Sequence, residues 1–189
     1  MTTEASPRNG SYPRPRAGYW RWVTTAISFA SLIIVVNHIF DFRLFGIVMS
    51  PFTYYYLLLF AYVSTVFLLF PFKKGFSAGR YFRLDVFLFA LSAGMFLFLA
   101  PYGFTITWKG WAFAGTPTHM VIMCVILWPL IIEAVRRSGG MALALVVLVF
   151  SFYPLVSEYM PGLLEGTGRN FTSAATYYLM SRGGVLGLP

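Results

Sequence analysis

Charged residues are scarce in this sequence, and acidic residues are the scarcest of all. Only 11% of the 189 residues are charged, with six acidic against fourteen basic residues, whereas 58% are hydrophobic and 20% are aromatic. A water-soluble domain usually carries about 25% charged residues. The composition of this chain therefore excludes a water-soluble domain. The sequence predicts an all-α integral membrane protein, because a helix satisfies its backbone hydrogen bonds within the bilayer.

Residues that commonly carry catalysis or bind metals are also few. The single cysteine, Cys124, lies in an apolar run, so no disulfide framework is possible. The sequence has no glycine-rich phosphate loop, paired-cysteine motif, metal-spaced histidine cluster or nucleophile elbow. We therefore expect no enzyme activity, no cofactor and no bound metal.

The excess of basic residues indicates orientation in a membrane. The formal charge is +8, but the basic residues form small clusters at the ends of apolar runs. This pattern is typical of the positive-inside rule and argues against a nucleic-acid partner.

Five apolar runs approach the roughly 20 residues that a helix needs to cross a bilayer. Residues 1–17 are polar and proline-rich and are predicted to be a disordered cytoplasmic tail. Residues 161–189 are predicted to be an extracytoplasmic segment with a short interfacial helix over residues 170–181. The predicted spans are about 18–40, 51–72, 84–100, 117–135 and 140–159.

In that interfacial helix, five residues are expected to rest on the membrane or on a partner. They are Phe171, Tyr177, Tyr178, Leu179 and Met180.

The clearest single feature is a hairpin between residues 119 and 161, where two uncharged runs flank a polar break at residues 133–140. Gly139 and Gly140 are expected to relieve the backbone at the turn. Glu133 precedes Arg136 and Arg137 by three and four residues, a spacing that pairs side chains on one helix face. The two arginines are expected to hold this turn in the cytoplasm and to contact lipid headgroups.

The distribution of basic residues gives the predicted topology of a cytoplasmic N-terminus, five spans and an external C-terminus. Four basic residues fall on the predicted outside: Arg43, Lys109, Arg169 and Arg182. Ten fall on the predicted inside: Arg8, Arg14, Arg16, Arg21, Lys73, Lys74, Arg80, Arg83, Arg136 and Arg137.

Two further regions carry specific expectations. Asp85 should lie in the opening turn of the third helix, predicted from Leu84, where a carboxylate favours the positive end of the helix dipole and pairs with a nearby arginine. Arg83 is a second structural candidate there. Residues 101–117 are predicted to be the longest connection between helices, on the outer surface, with Trp108 and Trp111 at the interface.

Two histidines offer an alternative function. His38 and His119 are predicted near the outer ends of their helices at similar depth, and two histidines on separate helices could ligate a haem in a redox membrane protein. The simpler interpretation is that each histidine bonds to a backbone carbonyl, to Asn37 or to water at the interface.

An ordered set of motifs in the last third of the chain resembles the small-subunit region of TRAP transporter permeases, and most closely the fused permeases that work with TAXI-type binding proteins. The motifs are residues 132–140, Phe150, Tyr153, residues 161–164 beginning Pro161-Gly162, Tyr178-Leu179, Gly184, Gly187 and Pro189. A closely related alternative is the small subunit of a tripartite tricarboxylate transporter, which has a similar size and role.

This resemblance implies a secondary importer of the bacterial inner membrane, in which an extracytoplasmic binding protein delivers a solute, often a carboxylate. A large membrane subunit then moves the solute inward with sodium ions. The small subunit binds neither solute nor ion and packs against the large one. The expected partners are therefore a large TRAP permease subunit, or the remaining part of a fused permease, a TAXI-type binding protein and membrane lipids.

Overall fold

The computed structural model describes residues 19–42, 49–72, 78–113, 115–161, 166 and 168–184, and this part of the chain is helical with no strand. The predicted tail at residues 1–17, as well as Gly162, Gly187 and Pro189, lies outside the described residues. The α-helices are α1 Tyr19–Phe40, α2 Pro51–Leu59, α3 Thr65–Leu69, α4 Ala78–Leu99, α5 Gly103–Lys109, α6 Thr118–Val156 and α7 Phe171–Met180. Short 3₁₀ turns follow α4 and α6, at Ala100–Tyr102 and Ser157–Tyr159.

Four helical stretches are long and apolar enough to cross a membrane. Their mean hydropathy lies between 1.7 and 2.1. The prediction of an all-α chain with membrane-type helices is confirmed at this level. The four stretches are Tyr19–Phe40, Pro51–Leu69, Phe82–Lys109 and Thr118–Tyr159.

Helix α6 contains the predicted hairpin. Gly140 has φ 85° and ψ 176°, outside the helical region. The rings of Trp128 and Phe152 lie 5.3 Å apart on either side of it, whereas 24 residues of straight helix would separate them by roughly 36 Å. The chain therefore reverses at Gly140, and α6 consists of two arms that pack against each other.

The turn is tighter than the sequence predicted. Residues 133–139 continue the first arm as helix, so the helical geometry is interrupted only at Gly140. Gly139 keeps helical geometry, and only Gly140 has the positive φ that favours glycine. The expectation that both glycines relieve the backbone was wrong for Gly139.

Two other predicted boundaries were wrong. Helix α4 begins at Ala78, not Leu84, so Asp85 lies two turns inside the helix. Residues 101–117 are not a single connection between helices, because α5 occupies Gly103–Lys109. Pro101 is tolerated in the turn that precedes α5, and the Thr53 hydroxyl donates a hydrogen bond to the Ala100 carbonyl at 2.9 Å.

The second membrane-type helical stretch is not a continuous α-helix. A π-helical turn, Phe60–Ser64, separates α2 from α3. Such turns are rare and occur mostly as single turns inside α-helices. The Ser64 hydroxyl lies 3.0 Å from that of Ser92 on α4, and both side chains are fully buried. This contact ties the irregular turn to the adjacent helix.

Helix α7 packs into the bundle, so the prediction that it rests on the membrane surface was wrong for its C-terminal end. Leu179 and Met180 are 0% and 1% exposed. The Tyr56 hydroxyl on α2 donates to the Leu179 carbonyl at 2.6 Å, and the Tyr178 hydroxyl donates to the Phe150 carbonyl at 2.9 Å. Of the five residues predicted to rest on the membrane or on a partner, only Phe171 is exposed, at 44%.

Burial along α1 is inverted relative to a water-soluble helix. Thr24, Ser31 and Asn37 are buried, whereas Phe29 and Ile39 are exposed. A helix that turns its polar groups inward and its large apolar groups outward suits a hydrocarbon solvent. The second arm of α6 exposes its large apolar residues in the same way.

The backbone at Gly140 gives a stability prediction. Its φ and ψ fall in a region that is nearly exclusive to glycine, so Gly140→Ala should lower the free energy of unfolding by about 1–3 kcal/mol. Gly94→Ala is the matched control, because Gly94 lies in α4 with open space around its added Cβ. Unfolding in mixed micelles, followed by circular dichroism, measures both variants, and equal stability of the two would contradict a sharp reversal at Gly140.

A buried charge cluster as the candidate functional site

Four charged side chains meet at one end of the bundle. Helix α4 contributes Asp85, and the first arm of α6 contributes Glu133, Arg136 and Arg137. The chain just after α3 supplies the backbone carbonyl of Phe70. Three elements that are far apart in sequence thus converge on one polar centre, which we call the charge cluster.

The centre of the charge cluster is a buried ion pair. Arg137 Nη1 donates to Asp85 Oδ1 at 2.7 Å, and the two side chains are 1% and 0% exposed. The same nitrogen lies 3.3 Å from the Phe70 carbonyl oxygen. Because both charges are removed from water, their attraction is stronger than at a surface, but their desolvation also costs more.

Glu133 extends the pair to the rim of the cluster. Arg137 Nε donates to Glu133 Oε1 at 2.8 Å. Arg136 donates to both carboxylate oxygens of Glu133, each at 2.7 Å. The predicted pairs at three- and four-residue spacing are therefore confirmed, and the four formal charges of the cluster cancel.

Aromatic rings cover the guanidinium groups. The Arg137 guanidinium carbon lies 5.0 Å from the ring centre of Phe67 and 5.4 Å from that of Phe72. The Arg136 guanidinium carbon lies 5.2 Å from the Phe72 ring. Each such contact stabilises a cation by about 0.5–2 kcal/mol, with the larger values in desolvated sites. The rings thus offset part of the cost of burying the arginines.

The sequence pointed to these residues but missed the central contact. Asp85 does pair with an arginine, as predicted, but its partner is Arg137, 52 positions later, and its place two turns inside α4 removes the predicted role at the helix end. Arg83 is exposed and takes no part in the described contacts of the cluster. A charged residue inside a membrane-type helix usually has a buried partner, so the position of Asp85 was a signal that could have predicted such a contact.

The remaining structural candidates lie elsewhere. Gly140 forms the hairpin turn, three residues after Arg137. Pro161 is exposed beyond the 3₁₀ turn that follows α6, and Gly162 lies outside the described residues. Gly140 and Pro161 are not part of the charge cluster formed around Asp85 and Arg137.

The two histidines occupy helix ends, as their positions in the sequence predicted. His38 is in the last turn of α1 and stacks on Tyr54, with the ring centres 3.9 Å apart and the planes at 15°. His119 is the second residue of α6 and is exposed. No group of three or more metal-binding side chains occurs among the residues that the structure describes.

The charge cluster can hold helices together through its ion pairs. Its carboxylates are engaged by arginines, and its only buried polar atom without a hydrogen-bond partner is Arg137 Nη2, a donor. A neutral, internally bonded network in a medium of low dielectric holds its members strongly, because separating them would expose unpaired charge.

Removal of one charge should reveal that cohesion. Asp85→Asn leaves the Arg137 guanidinium buried without its main counter-charge, and we expect a loss of about 3–5 kcal/mol in the free energy of unfolding. Arg136→Gln, at the rim of the cluster where the Arg136 side chain is 29% exposed, should cost less than about 1 kcal/mol. Unfolding in mixed micelles compares the two variants.

The double variant Asp85→Leu/Arg137→Met removes both charges together, and it should recover much of the stability lost in Asp85→Asn. A loss for Asp85→Asn no larger than that for Arg136→Gln would contradict the central place of the ion pair.

Comparison with known proteins identifies no relative of the chain. No family model matches it, and neither the curated proteins nor the solved structures include a match. Its function is therefore inferred from its residues and their geometry.

Proposed function

We propose that the chain is the non-catalytic small membrane subunit of a TRAP-type secondary importer driven by an ion gradient, with a carboxylate as the expected class of solute. In this proposal the chain is a multi-pass protein of the bacterial inner membrane. The motifs between residues 132 and 189 supply the resemblance, and the arrangement of buried charge supplies the physical support.

One observation carries the proposal: the charges buried in the helices bond to each other. In the part of the chain that the structure describes, Asp85 and Arg137 are the two buried charged residues, and they form one ion pair. Ion and substrate pathways in membranes generally need charged groups that face a cavity or water. The side chains of Arg137 and Asp85 are 1% and 0% exposed, so they do not face water, and this burial supports a framework role.

Two apolar surfaces are available to a large membrane subunit. One is the outward side of α1, which includes Phe29 and Ile33, and the other is the second arm of α6, which includes Val149 and Phe150. Membrane helices associate by close packing and not by hydrophobicity alone. On the second arm, the small residue Ala144 is buried within the bundle, and the large residues Val149 and Phe150 are among those exposed for such packing.

The helix ends on the predicted outer side of the membrane form the proposed contact surface for the large subunit or the binding protein. Trp108 is 86% exposed and Tyr159 is 84% exposed, so both are accessible to a partner. Tyr and Trp are enriched where one protein docks on another. The docking of α7 within the bundle fixes the position of the residues around it.

Co-purification with the proposed large subunit tests this function. The chain carries an affinity tag and is purified from the membranes of its native host, and we expect stoichiometric recovery of a large polytopic membrane protein. Arg136→Ala/Arg137→Ala should reduce that recovery severalfold, because it removes both positive charges of the charge cluster. Lys109→Ala is the control, since Lys109 contacts Trp111 at a distance from the cluster. Normal recovery with the double variant, or a tagged chain that recovers no polytopic partner, would contradict the proposal.

A further inference from the structure

A small cavity lies between three helix ends, away from the charge cluster. It measures about 260 Å³ and is bounded by the first turn of α2, the end of α5 with the chain after it, and the end of α7. Its walls are mainly apolar. Its lining includes Phe52, Ile106, Ala112, Phe113, Met180 and Arg182.

Arg182 is the polar group of this cavity that has no partner. It is exposed and makes no hydrogen bond or ion pair with any residue that the structure describes. The two lining hydroxyls are already engaged, because Thr107 Oγ1 donates to the Gly103 carbonyl at 3.1 Å and Ser181 Oγ accepts from the Gly183 amide at 3.0 Å. The cavity therefore combines apolar walls with one available cation.

The charge around the cavity is positive. The Arg169 guanidinium carbon lies 5.8 Å from the ring centre of Phe113, a lining residue, and Lys109 Nζ lies 5.6 Å from the ring of Trp111. No acidic residue is among the described residues that line the cavity. The C-terminal ends of α5 and α7 also border the cavity and carry partial negative charge, so the full positive charge of Arg182 supplies the attraction for an anion.

The position of the cavity matches the headgroup level of a membrane. Its lining comes from the residues at which the spans begin and end, Phe52 at the start of α2 and Thr107 near the end of α5. Trp108 and Phe113 beside it are 86% and 67% exposed. Exposed aromatic rings at span ends are typical of the belt between headgroups and acyl chains.

We propose that this cavity binds an anionic phospholipid, with the phosphate paired to Arg182 and the glycerol and upper part of one acyl chain against the apolar walls. A volume of about 260 Å³ is slightly below the roughly 300–1,000 Å³ of pockets that enclose a whole ligand. The cavity therefore has room for part of one acyl chain. A small soluble anion would satisfy Arg182 but would leave the apolar walls uncovered, so both halves of the cavity together select an amphiphile. The site does not depend on the proposed transport function.

Native mass spectrometry of the purified 189-residue chain tests the site directly. The chain is titrated with phosphatidylglycerol or with phosphatidylcholine carrying the same acyl chains. We expect one phosphatidylglycerol molecule to bind in preference to phosphatidylcholine. Arg182→Ala should weaken phosphatidylglycerol binding about tenfold, the factor expected for one charged hydrogen bond. It should weaken phosphatidylcholine binding less, because the choline cation of that lipid already neutralises its phosphate.

Two variants separate the charge from the cavity. Thr107→Trp places a large side chain at an exposed lining position and should weaken phosphatidylglycerol binding although Arg182 remains. Lys109→Ala removes a nearby cation that does not line the cavity and should bind as the parent chain does. Equal melting temperatures establish that the variants are folded.

Three results would overturn the site. They are equal binding of the two lipids by the parent chain, unchanged phosphatidylglycerol binding by Arg182→Ala, and displacement of the lipid by an equimolar amount of inorganic phosphate. The last result would identify a site for soluble anions.

Discussion

The ion pair between Asp85 and Arg137 is the constraint on which the arrangement of the helices depends. Each charge would be costly alone in a bilayer, so neither helix can rotate or slide without separating the pair. Glu133 and Arg136 complete a neutral set, and the Phe70 carbonyl accepts a further bond from Arg137. One set of contacts thereby fixes α3, α4 and the first arm of α6 relative to each other.

Helix α7 closes the opposite part of the bundle by different means. Ala174 and Ala175 are completely buried, and such small residues let a helix approach its neighbours closely. The hydrogen bond from Tyr56 to the Leu179 carbonyl and the ring contacts of Trp128 with Phe171 and Tyr178 hold it there. With cohesion supplied by charge at one end and by close packing at the other, the outward faces of α1 and of the second arm of α6 remain available to lipid or to a partner.

Features set by local spacing could be predicted from the sequence. The helical period alone places Glu133 beside Arg136 and Arg137, and a pair of glycines between two apolar runs predicts the reversal at residue 140. The contact of Asp85 with Arg137 could not be predicted, because no local pattern specifies which helices touch 52 positions apart.

The errors have physical reasons too. The basic residues before Asp85 mark the side of the membrane and do not mark a helix boundary, so α4 begins earlier than predicted. Residues 101–117 were predicted to be one connection between helices, but proline is tolerated where a new helix starts, and α5 follows Pro101. Helix α7 is short and partly polar, which predicted a surface helix. Its alanines instead allow it to enter the bundle.

The central claim is that the buried charge of this chain provides cohesion and that the movement of solute belongs to a partner. The most direct measurement reconstitutes the purified chain alone in vesicles and records uptake of radiolabelled carboxylates on an imposed sodium gradient. The account predicts no uptake above that of empty vesicles. Uptake that depends on the gradient and disappears in Asp85→Asn, with the variant still folded, would contradict it.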